Sequence, residues 1–486
     1  MYSNSQEQTI YYKLAERIQL GFYDDGQRFP TLQEIAQQFG VSYCPAQRAL
    51  KALESDGLIQ ICRGKETHVL RKPYEHYLKS PLFAQRLLAI EDLCQSLSHL
   101  SPSISFQGLC ILEAAHLEPE TLQKNNRQQW AELYRCFEQS LLALGNHSIL
   151  SLYYDISAFL GSTFLDIAQA FFTEAEEKDF LAQIAKTYGM VGQSIQKGQF
   201  LLAKQQLDKL TPVFFTPFNQ KLHQMATSAQ PSSPQEFSWA PYKGRKRYRD
   251  LIAIDLARKI NQGLYPVDTL LPHGPALAAT YHVSPITIRR TIALLNQLGF
   301  TKTVNGVGTY VVQADAYSIP SKLKDLNLDE SLQIFLEALH LLTITCEAVC
   351  RLTFSHFTPQ TRQAIIQATA QEEQGLSLFT TISACMQAIV HDAPLLAVQE
   401  IYRNLTLMLL NGNVLPLNAF AQETLDAWHD LARQLAAALL ADADQQFALI
   451  FRQLSLSCFQ ATKSYLLTLG MNQVEAIILP VFYDEP

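Results

Sequence analysis

Arg289 and Arg290 stand side by side in SPITIRRTIALL, and a basic run, KGRKRYR at 243–249, precedes that segment. Guanidinium groups neutralise phosphates and donate paired hydrogen bonds in one plane to a base edge. The chemistry on offer is therefore recognition of a polyanion, not bond breaking. No GxGxxG turn, P-loop or nucleophile elbow occurs, so no catalytic residue is assigned and the chain reads as non-enzymatic.

The charge is local. Residues 243–312 carry ten Lys and Arg against three Asp and Glu, a net of +7. Residues 1–72 carry nine against eight, a net of +1. With −7 for all 486 residues, the remainder of the chain holds −15. A composition of 48% hydrophobic and 17% charged residues excludes a disordered or collagen-like chain. There is no apolar run of about 18 residues, and MYSNSQEQTIYYK is too polar for a signal peptide. Nine cysteines without a CxxC pair point to a reducing cytoplasm, and the lack of a long apolar run to no membrane partner. Cys346 and Cys350 fit packing on one helix face better than a metal site.

The elements that must position the arginines follow from periodicity. RYRDLIAIDLARKINQG places Leu251, Ile254, Ala257 and Ile260 at helical spacing, with Gly263 as a stop. A second helix is predicted in PALAATYH. Ser284 then serves as N-cap and Pro285 occupies the first helical position, where its missing N–H costs nothing. Along the third helix Ile288, Ile292 and Leu295 form the buried stripe, and Arg289 and Arg290 project away from it. LGFTKTVNGVGTYVV reads as a hairpin about NGVG. Three helices and a hairpin make a winged helix-turn-helix, whose third helix enters a DNA major groove.

The same signature occurs earlier at a constant offset of 242. RFPTLQEIAQQFGVS aligns with LLPHGPALAATYHVS, pairing Pro30 with Pro272 and Ser42 with Ser284. The match runs on without a gap through Leu53 and Leu295, Gly57 and Gly299, Gly64 and Gly306, and Val69 and Val311. The chain is a tandem duplication of a small module followed by a longer segment.

Leu271-Pro272, Ala278, Val283-Ser284, Thr287-Ile288-Arg289, Leu295, Gly299 and Gly306-Val307-Gly308-Thr309-Tyr310-Val311 together resemble the DNA-binding domain of the GntR family of bacterial transcription regulators. The first copy resembles it through Phe29-Pro30-Thr31, Ala36, Val41-Ser42, Leu53, Gly57-Leu58 and Thr67-His68-Val69. The resemblance implies double-stranded DNA as partner. Its expected contacts are Ser284, Thr287, Arg289 and Arg290 from the third helix, and Gly306, Gly308 and Thr309 from the wing. Arg245, Lys246 and Arg247 add a basic arm. In the first copy the expected contacts are Ser42, Tyr43, Gln47, Arg48 and Lys65.

Of three arginines common in the family, the chain keeps only Arg289; Pro275 and Pro285 hold the other two places. The first copy has Gln33, Tyr43 and Gln47 there, and Glu66 in place of a wing glycine. Gln47 suits adenine and Tyr43 a phosphate. The second module is expected to dominate DNA contact, because phosphate neutralisation supplies most nonspecific affinity.

Residues 78–225 and 318–480 are Leu-, Ala-, Gln- and Phe-rich with helical spacing, which predicts all-helical bundles. CFEQSLLALGNHSIL and SIQKGQFLLAKQQLDKL resemble helices of the effector-binding FCD-type domain of a GntR subgroup. That resemblance implies a small-molecule effector. Its metal-ligand positions fall near Leu133, Phe137, Tyr188 and Leu210, and near Ser383 and Arg433, so neither a metal nor another cofactor is expected. The aromatic stripes FFTEAEEKDF and LYYDISAFL read as core before pocket.

The fold expected is mainly α, with two winged helix-turn-helix domains, each followed by an all-α helical bundle. The divisions are a winged helix at 1–74, a bundle at 78–226, a Ser-, Pro- and Ala-rich linker at 227–244, a winged helix at 245–314 and a bundle at 318–480. The functional expectation is a sequence-specific transcription regulator, built as an intramolecular pseudo-dimer or as a homodimer. The alternative is an interaction or scaffold protein that has lost DNA binding.

Overall fold

A computed structural model describes residues 6–20, 23, 25–62, 66–70, 77–112, 126–227, 234–241, 248–261, 263–312, 329–372, 379–415 and 420–482. The chain divides into two units, 1–243 with 395–400 and 481–486, and 244–394 with 401–480.

In the first unit α1 (Gln6–Leu20), α2 (Leu32–Gln38) and α3 (Tyr43–Ser55) precede a hairpin of β1 (Ile59–Gln60) and β2 (His68–Val69). The hairpin is antiparallel, with Ile59 opposite Val69. Ile10, Leu14, Ile35, Ala46, Leu53, Ile59 and Val69 share one core. Thr31 and Glu34 form a capping box on α2, each satisfying an orphan N–H of the other. The bundle comprises α4 (Pro81–Ile111), α5 (Asn126–Ala143), α6 (His147–Leu160), α7 (Thr163–Phe171), α8 (Glu174–Gln196) and α9 (Phe200–Thr227). Most of its aromatic residues are core: Phe164, Phe172, Phe180, Phe214 and Trp130 gather around the buried Phe218, while Phe171 is 45% exposed.

The stretch after α9 departs from a free tether. Phe237 and Trp239 are buried, and Phe237 meets Phe159 edge-on at 5.6 Å. The Gln235 N–H donates to the Gln85 carbonyl at 2.9 Å, and the Ala240 N–H donates to the Asp155 carboxylate at 3.1 Å. Two large apolar side chains embedded in the Ser- and Pro-rich composition pull residues 234–241 onto the bundle.

In the second unit α10 (Tyr248–Asn261), α11 (Gly274–Thr280) and α12 (Pro285–Leu298) precede β3 (Thr301–Val304) and β4 (Gly308–Val311). Thr301 pairs with Val311, and Val304 with Gly308. Gly299 ends α12 at φ +79°, a left-handed cap that a residue with a Cβ would adopt only under strain. The buried face of α10 is Ile252, Ala253, Leu256 and Ala257; Leu251 and Ile254, expected in the stripe, have side chains outside the described residues. The breadth of that face has a cause, since α10 packs against both α12 and the turn at 410–414.

The second bundle comprises α13 (Asp329–Thr353), α14 (Pro359–Glu372), α15 (Thr380–Asp392), α16 (Leu396–Leu409), α17 (Gln422–Leu440) and α18 (Asp444–Thr468). Residues 330–356 form a helix apolar and long enough to cross a membrane, but its apolar window is 78% buried within the protein, the mark of a core helix. Cys346 and Cys350 lie in that core, and burial pushes both thiols up, Cys346 to about 12.

Candidate nucleic-acid interface

Helix α12 is set by its two ends. The Ser284 hydroxyl accepts the Thr287 N–H at 3.3 Å and lies 2.9 Å from the Thr287 hydroxyl, which fixes the first turn. Ile288, Leu294 and Leu295 anchor the inner face, while Ser284, Pro285, Ile286, Arg289 and Arg290 are exposed on the outer one. Among the described residues no carboxylate pairs with Arg289 or Arg290. Ile286 is 58% exposed, on the same outer face as the two arginines.

The wing is braced from the far end of the same helix. Thr301 donates to the Asn296 side-chain oxygen at 2.7 Å, and the Asn296 amide donates to the Thr303 hydroxyl at 2.7 Å. Thr303 and Thr309 hydroxyls meet at 3.0 Å. Thr309 is only 8% exposed, so this expected contact residue supports the wing from within. Its neighbour Val311 faces the same core, as strand alternation requires. Gly306 and Val307 form the exposed tip, and Gly308 at φ +146° lets β4 pass Leu270, whose side chain would lie 3.0 Å from an added Cβ. Arg245, Lys246 and Arg247 lie outside the described residues.

The first module presents a different surface on the same frame. Ser42 precedes α3 but makes no side-chain cap bond, and Tyr43 follows it 56% exposed. Gln47 and Arg48 are exposed, and Arg48 lies 3.3 Å from the Glu7 carboxylate. Arg28, in the place of Leu270, lies between Glu66 at 3.4 Å and Glu34 at 3.8 Å. Glu34 accepts the Thr31 N–H, which holds its carboxyl below the ordinary value and keeps it charged. The two described arginines of this face, Arg28 and Arg48, therefore each have a counter-charge beside them. Lys65 lies outside the described residues.

Sequence reasoning passed over the residues that mount this module. Lys13 on α1 is fully buried, donating to Tyr153 at 2.8 Å and to Tyr134, over whose rings it also sits. One turn on, Arg17 binds Glu138 of α5 at 2.5 Å, both side chains buried. Burial opposes the Arg17 charge, and Glu138 more than offsets it, so the guanidinium stays protonated. The corresponding positions of the second module, Asp255 and Lys259, pair with each other at 2.8 Å beside Tyr281.

Among the described residues no three His, Cys, Asp or Glu gather closely enough to hold a metal ion.

The model of the family described as bacterial regulatory proteins, gntR family, matches this chain twice, at 6–69 and 249–311. The Uxu operon regulator of Haemophilus influenzae is 35% identical over 60 residues, a match spanning 12% of this chain and 23% of the relative's length. Two solved structures are similar at 16% identity. Streptococcus agalactiae GntR matches 44% of this chain and 99% of its own, with a TM-score of 0.22, and E. coli McbR/YncC matches 46% and 97%, with a TM-score of 0.23. The two family matches coincide with the two winged helices, each from its first helix to the last strand of its hairpin. Two stretches of the chain, 6–69 and 249–311, thus each match the family model of gntR bacterial regulatory proteins, and the chain spans less than a quarter of the curated relative it matches.

Proposed function

We propose that the protein is a cytoplasmic transcription regulator that binds double-stranded DNA mainly through its second winged helix. The observation that carries this reading is the state of four arginines. Arg289 and Arg290 are exposed without a carboxylate partner among the described residues, whereas Arg28 and Arg48 each stand beside one or two. A cation already compensated by a neighbouring carboxylate gains less from a phosphate, because it must give up or share that partner. The +7 charge of residues 243–312 supports the same assignment.

Titrating the full chain with generic duplex DNA across salt concentrations tests it. A steep fall of affinity with salt is expected, with a slope near −0.9 per phosphate neutralised. Absence of binding at low salt would leave the scaffold reading in its place. The covalent joining of two modules also suits a pseudo-dimer on one pseudo-palindromic site. Sedimentation at the single-chain mass of 54.7 kDa is the expected result; twice that mass would indicate a homodimer with four winged helices.

A further inference from the structure

We infer that Ile286 is a base-reading residue, and that through it the second module recognises the C5-methyl group of thymine. The inference rests on the DNA-binding reading above and concerns what that surface selects.

Ile286 is the second residue of α12, in the turn that a helix-turn-helix directs at base edges. It does not belong to the helix's buried stripe: Ile288, two residues on, is buried, while Ile286 stays 58% exposed between exposed Pro285 and half-buried Thr287. Nothing in the fold of its module requires an apolar side chain there. What surrounds it is charge, since Arg289 and Arg290 project from the next turn and the module carries +7. A face with that charge seats a polyanion, and an exposed isoleucine at its leading edge meets whatever lies at the floor of the groove. In the major groove the apolar group among the base edges is the thymine methyl. Pro275 and Pro285, both exposed, have no side-chain donor for a guanine, so the leading edge of this surface is apolar where a guanine reader needs hydrogen-bond donors.

The contact is one methyl group against one branched side chain. Burying a methyl-sized apolar group is worth about fourfold in affinity per thymine contacted.

The test begins with duplexes selected from a random pool by the full-length protein. In the best duplex, each thymine is replaced singly by deoxyuridine, which removes the methyl and leaves base pairing intact. At one or two positions the replacement is expected to weaken binding about fourfold for the unaltered protein and not at all for Ile286→Ala. Arg289→Ala, weaker throughout, is expected to keep the full sensitivity to uracil. Specific binding that ignores every uracil, or equal uracil sensitivity in Ile286→Ala, overturns the inference and leaves Ile286 to a protein partner or to no contact. A pool that yields no fixed thymine overturns it as well. Failure to bind any duplex at low salt overturns the DNA-binding reading itself, and this inference falls with it.

Discussion

The two winged helices share one frame and differ in how they spend their charged residues. In the first, the described arginines point inward or are matched. Lys13 and Arg17 are buried against tyrosines and Glu138, while Arg28 and Arg48 stand beside carboxylates. In the second, Lys259 pairs with Asp255, but Arg289 and Arg290 on the exposed face of α12 have no carboxylate partner among the described residues. Duplication left both copies able to fold, because the core positions were kept in register. The copies differ at the surface, where Glu34 and Glu66 lie beside Arg28, and Glu7 beside Arg48, without touching a core position.

The largest expected effect concerns the mounting of the first module. Glu138→Ala leaves the Arg17 guanidinium charged and buried, which costs about 3–5 kcal/mol of the first unit's stability. Asp255→Ala, at the partly exposed pair of the second module, is expected to cost about 1 kcal/mol or less. Urea unfolding of the two variants checks the contrast, and equal losses would break it.

Acid sharpens the comparison between the bundles. His340 on α13 is fully buried, stacked on Phe459 at 5.1 Å, and burial, assisted by Lys463, lowers its pKa to about 3. The unfolded chain, titrating near 6.5, takes up a proton that the folded state refuses. Stability of the second unit is therefore full above about pH 6.5 and falls as pH drops toward 3, by about 1.4 kcal/mol per pH unit. His340→Leu is expected to flatten that slope in thermal melts taken across the range.

A smaller effect separates the two caps. Ser284→Ala is expected to cost about 1 kcal/mol, and Ser42→Ala almost nothing, because only Ser284 accepts a helix N–H. The smallest effect is a gain. Freeing Arg28 by Glu66→Gly together with Glu34→Gln should steepen the salt dependence of DNA binding by about one unit of slope. An unchanged slope would mean that the first module does not approach DNA even when unmasked.

Much of this was legible in the sequence, for definite reasons. Helix ends and turns were marked by Pro272, Ser284, Pro285 and Gly299, whose backbone preferences act locally, and the repeat at 242 supplied each element twice. The exposed position of Arg289 and Arg290 followed from the Ile288 stripe. The buried position of Thr309 was also readable, since strand alternation puts it on the same face as Val311, yet the wing motif drew it onto the contact surface. What was not readable depends on partners distant in sequence. Glu7 and Arg48, Arg28 and Glu66, and Lys13 and Tyr153 meet only through the tertiary fold. The docking of residues 234–241 was hidden because Phe237 and Trp239 are two apolar residues in a stretch of linker composition.

The central claim is that the second module carries the DNA contact. Its most direct test is the affinity of two double variants of the full chain for one selected duplex at fixed salt. Arg289→Ala with Arg290→Ala is expected to lower affinity by about a hundredfold, and Gln47→Ala with Arg48→Ala by less than about threefold. Equal losses in the two variants would contradict the account.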